Sequence, residues 1–210
     1  MAQTLDHPFF ARLWMLLSAH ETPLLQRLRA ENLAGLSGRV LEVGAGTGAN
    51  FAHYPTAVRQ VIALEPEIQL APRAREAAAT APVPVAVIES TIETLPDTEP
   101  FDAVVCSLVL CSVGDLSAVL RQLYSMLKTE GQLRFFEHVA SPGWRGGLQR
   151  LADATVWPRL AGNCHTHRDT EGAIRAAGFT VVAARHQRAF PAWVPIPVSE
   201  VAVGRALKGA

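Results

Sequence analysis

The sequence predicts an α/β fold in which helices cover both faces of a mostly parallel sheet of seven strands. Short apolar runs alternate with segments of helical periodicity from residue 38 onwards, which is typical of consecutive βαβ units. The first of these runs leads directly into a glycine-rich turn, GAGTG. The last two runs follow each other without a helix between them, which predicts an antiparallel edge strand beside an otherwise parallel sheet.

Helices are predicted both before the first strand and between the strands that follow it. Apolar residues recur at helical spacing over residues 9–30, and Pro23 is suited to begin a second helix, so residues 1–37 are assigned to N-terminal helices. The first five strands are GRVLEVG, QVIALEP, VPVAVIES, FDAVVCSLVLCSV, which runs on into a loop, and GQLRFFEHV. Further helices are expected over residues 67–79 and 115–128.

Residues 141–168 interrupt this alternation. They hold tryptophan and proline turns and the run GNCH, and we expect them to form a helical cap inserted after the fifth strand. Helical spacing returns over residues 169–177 and ends at Gly178. The final two strands are then FTVVAARHQRAF and VSEVAVGRALKG, joined by the irregular PAWVPIP loop. The 210 residues are expected to form a single domain.

Composition excludes several classes of partner. Nineteen basic and nineteen acidic residues give a net charge of zero without a basic block, so no nucleic-acid partner is expected. No apolar run approaches the roughly 18 residues of a spanning helix, and MAQTLDHPFF has no basic leader, so we expect no stable membrane insertion and a cytoplasmic location. Three cysteines without a CxxC pair argue against a disulfide scaffold. The oligomeric state is left open.

The glycine-rich turn is the expected ligand site, because doubly wound sheets bind ligands at the carboxyl ends of their strands. Gly44, Gly46 and Ala49 also satisfy the dinucleotide pattern, so the glycines alone do not decide the ligand. Glu42 favours a ligand with an amino group, whereas a pyrophosphate prefers positive partial charge around it. S-adenosylmethionine (SAM) carries such an amino group, and Glu65 at the end of the second strand can accept hydrogen bonds from its ribose.

Glu65 and Pro55 also bear on whether the ligand is NAD or SAM. A carboxylate at the position of Glu65 also serves NAD, so it does not discriminate between the two ligands. Pro55 limits the helix after the glycines to about seven residues, which is shorter than a dinucleotide site usually keeps. The alternative is that Glu42 is a buried glutamate satisfied by backbone amides beside the turn.

The motifs LEVGAGTGANF, LEP, ETLP, FDAVVCSLVLCSV, LRFFEHV and AGF occur in the order found in class I SAM-dependent methyltransferases, and the chain resembles that family over about residues 38–183. The resemblance implies a Rossmann-like fold. It also implies that the glycine turn holds the methionine part of SAM, the second-strand acid holds the ribose, and residues after the third strand flank adenine. The predicted cofactor-binding residues are Glu42, Gly44, Gly46, Gly48, Asn50, Glu65, Pro66, Thr91, Ile92, Glu93 and Ser107. S-adenosylhomocysteine would be the product.

The second half of the chain is similar to a narrower group. VVCSLVLCSV, FFEHVASPGWRG and GNCHTHRDT resemble the alkyl-thiol S-methyltransferases of the methyltransferase-like seven group and their bacterial relatives. The animal members carry an N-terminal membrane anchor that is not expected here. This resemblance implies a small hydrophobic acceptor, with a thiol sulfur first and an amine or oxygen of a phospholipid headgroup or small metabolite second. A non-catalytic SAM-fold binding or partner protein is the alternative of another class.

Three histidines are the catalytic candidates. A thiol is already partly ionised near neutral pH, so methyl transfer from a sulfonium needs positioning, desolvation and only modest help from a base. His138 lies at the carboxyl end of the fifth strand, and His165 and His167 lie in the predicted cap, where they could deprotonate or orient the nucleophile. The alternative for His138 is a structural hydrogen bond to the loop backbone.

Two groups of residues are candidates for a metal or metalloid site, and neither is predicted to form one. Cys164, His165 and His167 are zinc ligand types, but one short cluster without a second ligand pair rarely closes a site. Cys106 and Cys111 could converge with Cys164 on trivalent arsenic, but they are more typical of small apolar residues packed around the fourth strand.

The segment PFFARLWMLLSAH is apolar nearly all around its helix. It predicts a helix that is buried against the sheet or closes over SAM. The alternative is an interfacial segment that admits amphiphilic substrates.

Overall fold

A seven-stranded sheet forms the centre of the molecule in the computed structural model, which describes residues 4–95, 99–155, 157–191, 193–194 and 196–209. Pro96 of the ETLP motif and Ala192 and Pro195 of the last predicted loop lie outside the described residues. The strands are β1 (Gly38–Val43), β2 (Val58–Leu64), β3 (Val85–Ile88), β4 (Phe101–Ser107), β5 (Leu127–His138), β6 (Phe179–Arg188) and β7 (Glu200–Lys208).

The strand order is β3-β2-β1-β4-β5-β7-β6. β7 runs antiparallel to both of its neighbours, and the remaining pairs are parallel. The predicted mostly parallel seven-stranded sheet is therefore confirmed. The antiparallel strand lies one position inside the edge, because the chain first runs out along β6 and then returns through β7 between β6 and β5.

Helices flank the sheet on both faces, as predicted. They are α1 (Pro8–Ala19), α2 (Pro23–Leu33), α3 (Ala71–Ala78), α4 (Leu116–Met126), α5 (Trp144–Asp153), α6 (Trp157–Leu160) and α7 (Thr170–Ala176). Alternate residues of each strand face opposite sides, so Val40 and Leu41 enter different apolar clusters. Pro23 occupies the first turn of α2, where the Thr22 side chain accepts a hydrogen bond from the Leu25 N–H.

The expected helix after the glycine turn is absent from the described chain. Turns lead instead into a short 3₁₀ segment, Phe51–His53. Gly44, Gly46 and Gly48 have φ angles of +68°, +58° and +81°, and an α-helix requires φ near about −63°. The sequence expectation was wrong because three left-handed residues within five positions keep the backbone in a tight turn.

The segment between β5 and α7 is tied to the end of the sheet by buried polar contacts. The Gln149 amide of α5 donates to the carbonyl oxygens of Val139 and Thr166 and accepts from the Ser141 N–H. Asp153 accepts from the backbone N–H groups of Thr166 and His167. These bonds fix the position of the residues around Cys164. Val156, within the predicted cap, lies outside the described residues.

Among the described residues, no helix combines the length and the apolar character needed to cross a membrane.

Substitution of Gly204, with Gly147 as the control position, tests the packing of β7 against its neighbouring strands. Gly204 lies in β7, where a Cβ atom would come within 2.3 Å of the Phe135 ring and 2.5 Å of the Ala183 carbonyl oxygen. We expect Gly204→Ala to lower the free energy of unfolding by about 1–3 kcal/mol, because the strands must separate. The matched control is Gly147→Ala in α5, where a Cβ atom meets nothing within 4 Å. It should raise stability by up to about 1 kcal/mol. Urea unfolding measures both, and equal effects would contradict the packing described.

Candidate active site

A cavity of about 410 Å³ opens at the carboxyl ends of β1, β2 and β4, where ligands bind in sheets of this type. It contains most of the predicted cofactor residues. Those that line it are Gly44, Gly46, Glu65, Pro66, Thr91, Ile92, Glu93 and Ser107. Their role in holding a cofactor stays a prediction, and we call this space the donor cavity.

Glu65 is buried in the wall of the donor cavity and joins the ends of two strands. Its Oε2 accepts a 2.6 Å hydrogen bond from the Gly46 N–H, and its Oε1 accepts a 2.8 Å bond from the Glu67 N–H. Burial raises the pKa of Glu65 to about 7, against the opposing effect of these two amides. Each oxygen retains a further lone pair for a ligand hydroxyl.

Glu42 lies behind the lining of the donor cavity. Its Oε2 accepts a 2.6 Å bond from the Tyr54 hydroxyl, and its Oε1 accepts a 2.9 Å bond from the Asn50 amide. Burial raises the pKa of Glu42 to about 7, and the hydrogen bonds from Tyr54 and Asn50 and the charge of Arg29 oppose that rise. The alternative prediction for Glu42 expected backbone amides as its partners, whereas the groups that bond to it are the side chains of Asn50 and Tyr54.

Asn50 connects Glu42 to the cavity wall. Its amide also donates to the Ser107 hydroxyl, which lines the donor cavity, and its oxygen accepts from the Arg29 guanidinium. Arg29 in turn donates to Glu21. The roles of Arg29 and Tyr54 could not be predicted from the sequence, because neither residue belongs to a motif. Gly48 faces away from the cavity, and a Cβ atom there would lie 2.7 Å from the Ala77 Cβ of α3.

The N-terminal segment covers the donor cavity. Leu5 pairs with the chain after β2, donating its N–H to the Pro66 carbonyl and accepting from the Ile68 N–H. Phe10 and Trp14 of α1 line the cavity, and a Cβ atom on Gly46 would lie 2.7 Å from the Trp14 Nε1. This arrangement agrees with the interpretation of α1 as a helix that closes over the ligand. The interfacial alternative stays a hypothesis.

A second cavity, of about 260 Å³, adjoins the donor cavity. Phe10, Trp14, Leu108 and Ser112 line both spaces and form the wall that they share. The rest of the second lining is mainly aliphatic and aromatic, and we call it the acceptor cavity. The Trp157 indole N–H lines it and is buried without a hydrogen-bond partner among the described residues, so it can donate to a bound molecule.

Glu137 holds the loop that separates the two cavities. Its carboxylate is fully buried and accepts hydrogen bonds from the backbone N–H groups of Val109, Leu110 and Cys111. Burial raises the pKa of this carboxyl group, and the three amides oppose that rise. Leu108, at the start of the loop, has a φ angle of +58°, a left-handed conformation that costs a leucine about 1 kcal/mol or more.

The three candidate catalytic histidines lie in different surroundings. His138 lines the acceptor cavity. His165 and His167 are not among the described residues that line either cavity. The His165 backbone N–H donates to the Cys111 carbonyl, and the His167 Nε2 lies 3.1 Å from the Arg150 guanidinium.

Two cysteines meet His138 at the acceptor cavity. The Sγ atoms of Cys111 and Cys164 lie 3.6 Å apart, and each lies 3.6 Å from the His138 Nδ1. The candidate zinc group in the sequence joined Cys164 to His165 and His167, whereas in the described chain Cys164 lies with Cys111 and His138. The candidate arsenic group also contained Cys106, which packs in the apolar core. The absence of a metal site stays a prediction.

Comparison with known proteins gives the family. A family profile described as "Methyltransferase domain" matches residues 17–184. Human thiol S-methyltransferase TMT1B is 34% identical over 188 residues, covering 85% of this chain and 75% of the relative. Human thiol S-methyltransferase TMT1A is 31% identical over 172 residues, covering 78% and 69%.

A solved structure supports the fold. The N-methyltransferase NodS from Bradyrhizobium japonicum, in complex with S-adenosyl-L-homocysteine, superposes with a TM-score of 0.65 at 16% identity, covering 97% of this chain and 89% of that chain. Because the sequence identity is low, this match supports the fold alone.

The chain therefore belongs to the methyltransferase domain family. It is a SAM-dependent methyltransferase, and S-adenosylmethionine is its cofactor, as the sequence predicted.

The two buried glutamates predict an unusual pH dependence for the ligand-free protein. Each pKa rises from 4.5 to about 7, so the folded chain binds protons more tightly than the unfolded chain. The free energy of unfolding should therefore fall as the pH rises from about 5 to about 7.5. Glu42→Gln removes one of these groups and keeps hydrogen-bonding capacity toward Asn50 and Tyr54. It should flatten the dependence and stabilise the protein above about pH 7.

Urea unfolding at a series of pH values measures this effect. Glu76→Gln, at an exposed glutamate of α3, is the control for the loss of one negative charge. An identical slope in wild type and Glu42→Gln would contradict the effect of burial on Glu42.

Proposed function

We propose that this enzyme methylates the sulfur of small hydrophobic thiols. The observation that carries the proposal is the apolar acceptor cavity, which shares a wall with the donor cavity and includes two histidines and two cysteines in its lining. The two human relatives are both named thiol S-methyltransferases. Because the two cavities are adjacent, a nucleophile bound in the acceptor cavity would lie close to a methyl group held in the donor cavity.

The donor cavity is proposed to hold SAM in the orientation expected from the sequence. Glu65 would accept from the ribose hydroxyls, and Thr91, Ile92 and Glu93 would flank the adenine. The Glu42 and Asn50 pair would act on the methionine part through Ser107, because Asn50 bonds to the hydroxyl of that residue. The lining supports these roles, since it brings the three regions to one cavity.

The acceptor cavity favours a neutral hydrophobic molecule over an amine. Glu21 is the carboxylate in its lining, but it forms a bidentate ion pair with Arg29. An aliphatic ammonium group would therefore enter an apolar space in which the described lining offers no available counter-charge, which is costly. A thiol loses much less on entering such a space.

The chemistry needs little from the protein beyond alignment and activation of the sulfur. Methyl transfer from a sulfonium is an in-line displacement with a neutral leaving group, so positioning and exclusion of water supply most of the rate. His138 is proposed to activate the thiol, because it alone of the three candidate histidines lines the acceptor cavity in the described structure. His165 would act through the Cys111 loop, to which its backbone bonds.

The proposed partners and cellular location rest on the composition of the chain. The balanced charge supports the expectation of a small-molecule acceptor without a nucleic-acid partner. The cytoplasmic location is likewise part of the proposal.

Glu65→Ala tests the donor site. We expect the affinity for SAM to fall roughly 10- to 150-fold, because a hydrogen bond to a charged group contributes about 1.5–3 kcal/mol. Isothermal titration with SAM measures the change. Glu89→Ala is the matched control, since Glu89 pairs with Arg75 at the end of β3 and does not line the cavity. Unchanged affinity in a folded Glu65→Ala protein would refute the ribose contact.

A panel of acceptors tests the reaction. Labelled SAM should be consumed fastest with small alkyl or aryl thiols, and more slowly with matched amines, phenols and a phospholipid headgroup. His138→Ala should bind SAM normally but lower thiol turnover roughly 100-fold or more, as expected for loss of an activating group. Preference for an amine over its matched thiol would overturn the proposed acceptor.

A further inference from the structure

The Cys111, His138 and Cys164 side chains form a triangle of donor atoms at the acceptor cavity. Its three edges, from sulfur to sulfur and from each sulfur to the imidazole Nδ1, are all 3.6 Å. Both cysteines are buried, and all three residues line the cavity. We propose that this triangle binds a zinc ion whose fourth position faces the acceptor cavity.

The dimensions of the triangle match those of a tetrahedral zinc site. With zinc bonds of about 2.3 Å to sulfur and about 2.0–2.1 Å to nitrogen, tetrahedral angles place two sulfur ligands about 3.8 Å apart and a sulfur and a nitrogen about 3.6 Å apart. The observed edges agree with both separations. A zinc ion can therefore bind with only small movements of the three side chains.

The donor set also suits zinc. Two cysteines and one histidine provide soft and intermediate ligands, which favour zinc over magnesium or calcium. Closed structural zinc sites use four protein ligands, whereas sites with three leave a position for a water or a substrate. Among the described residues the group offers three ligand atoms. The site thus belongs to the open class.

The three ligands come from separate segments that are held together before any metal binds. Cys111 lies in the loop fixed by Glu137, which accepts a hydrogen bond from its N–H. His138 is the last residue of β5. The segment of Cys164 is joined to the Cys111 loop by the His165 N–H, which donates to the Cys111 carbonyl. Asn163 donates to the Ser112 carbonyl in the same way. Such outer bonds orient metal ligands and reduce the cost of assembling the site.

The open position explains how an apolar cavity activates a thiol. This step rests on the proposed thiol acceptor. The thiol binds zinc and releases its proton to water, since a coordinating thiol is deprotonated. Its sulfur lone pair then forms the bond to the methyl carbon. The bond between that carbon and the sulfonium sulfur breaks, and its electron pair remains on the sulfur of S-adenosylhomocysteine. His138 acts here as a zinc ligand, which gives its activating role a specific form.

Zinc binding is tested without SAM or acceptor. The full chain is reduced with a phosphine, freed of metal with a chelator, and titrated with zinc chloride against a chromophoric chelator. We expect uptake of a single zinc ion. Cobalt(II) in its place should give thiolate-to-cobalt charge-transfer absorption and the visible bands of a tetrahedral ion. No uptake of zinc by the reduced chain would overturn the proposal.

Single substitutions identify the ligands. Cys111→Ser and Cys164→Ser should each weaken zinc binding by more than about 100-fold. Such a loss exceeds the effect of changing a residue that is only hydrogen-bonded to a metal ligand. Cys106→Ala is the matched control, because Cys106 is an equally buried cysteine in the apolar core. It should bind zinc as wild type does. Retained S-adenosylhomocysteine binding verifies that each variant is folded. An equal loss of zinc in Cys106→Ala would overturn the assigned ligand set.

Turnover by the metal-free protein then separates the two proposals. Removal of zinc should abolish thiol methylation, and one equivalent of zinc should restore it, while SAM affinity stays unchanged. Full thiol turnover without zinc overturns the role of the metal and leaves the proposed function intact. Zinc uptake without methylation of any thiol overturns the proposed function and leaves the metal site intact.

Discussion

The buried carboxylate of Glu137 is the interaction on which the arrangement of both cavities depends. A carboxylate with no solvent exposure is costly unless its oxygens accept hydrogen bonds, and here the backbone N–H groups of Val109, Leu110 and Cys111 supply them. The loop after β4 is therefore held against the end of β5. That loop begins at Leu108, which lines both cavities, so one buried carboxyl group positions part of the wall that the two cavities share.

A second buried network extends the same principle to the donor side. Arg29 of α2 bonds to Asn50, which bonds to Glu42 and to Ser107. Through this network an N-terminal helix is coupled to the ends of β1 and β4. The charge of Arg29 opposes the burial that raises the pKa of Glu42, but it does not cancel that rise. The donor side thus combines backbone donors at the glycine turn with carboxylates that are poorly solvated before a ligand binds.

Much of the fold could be predicted because periodicity and backbone chemistry are local properties. Each buried strand is a continuous apolar run, and the glycine turn marks the carboxyl end of the first strand. The chain after that turn was predicted incorrectly, since the effect of three successive left-handed glycines outweighs the weak helical spacing beyond them. The position of α1 over the donor cavity was predicted only as one of two alternatives, because the sequence of an apolar helix does not reveal which surface the helix contacts.

The acceptor side was harder to predict because its residues come from distant parts of the chain. Cys164 stands beside His165 in sequence, which suggested a local cluster. In the fold its sulfur meets Cys111 and His138 instead. The reason is that His165 turns its backbone N–H toward the Cys111 carbonyl, and this bond brings Cys164 to the cavity. This bond and the one from the Asn163 amide to the Ser112 carbonyl hold Cys164 at the acceptor cavity. Sequence spacing carries no information about such bonds.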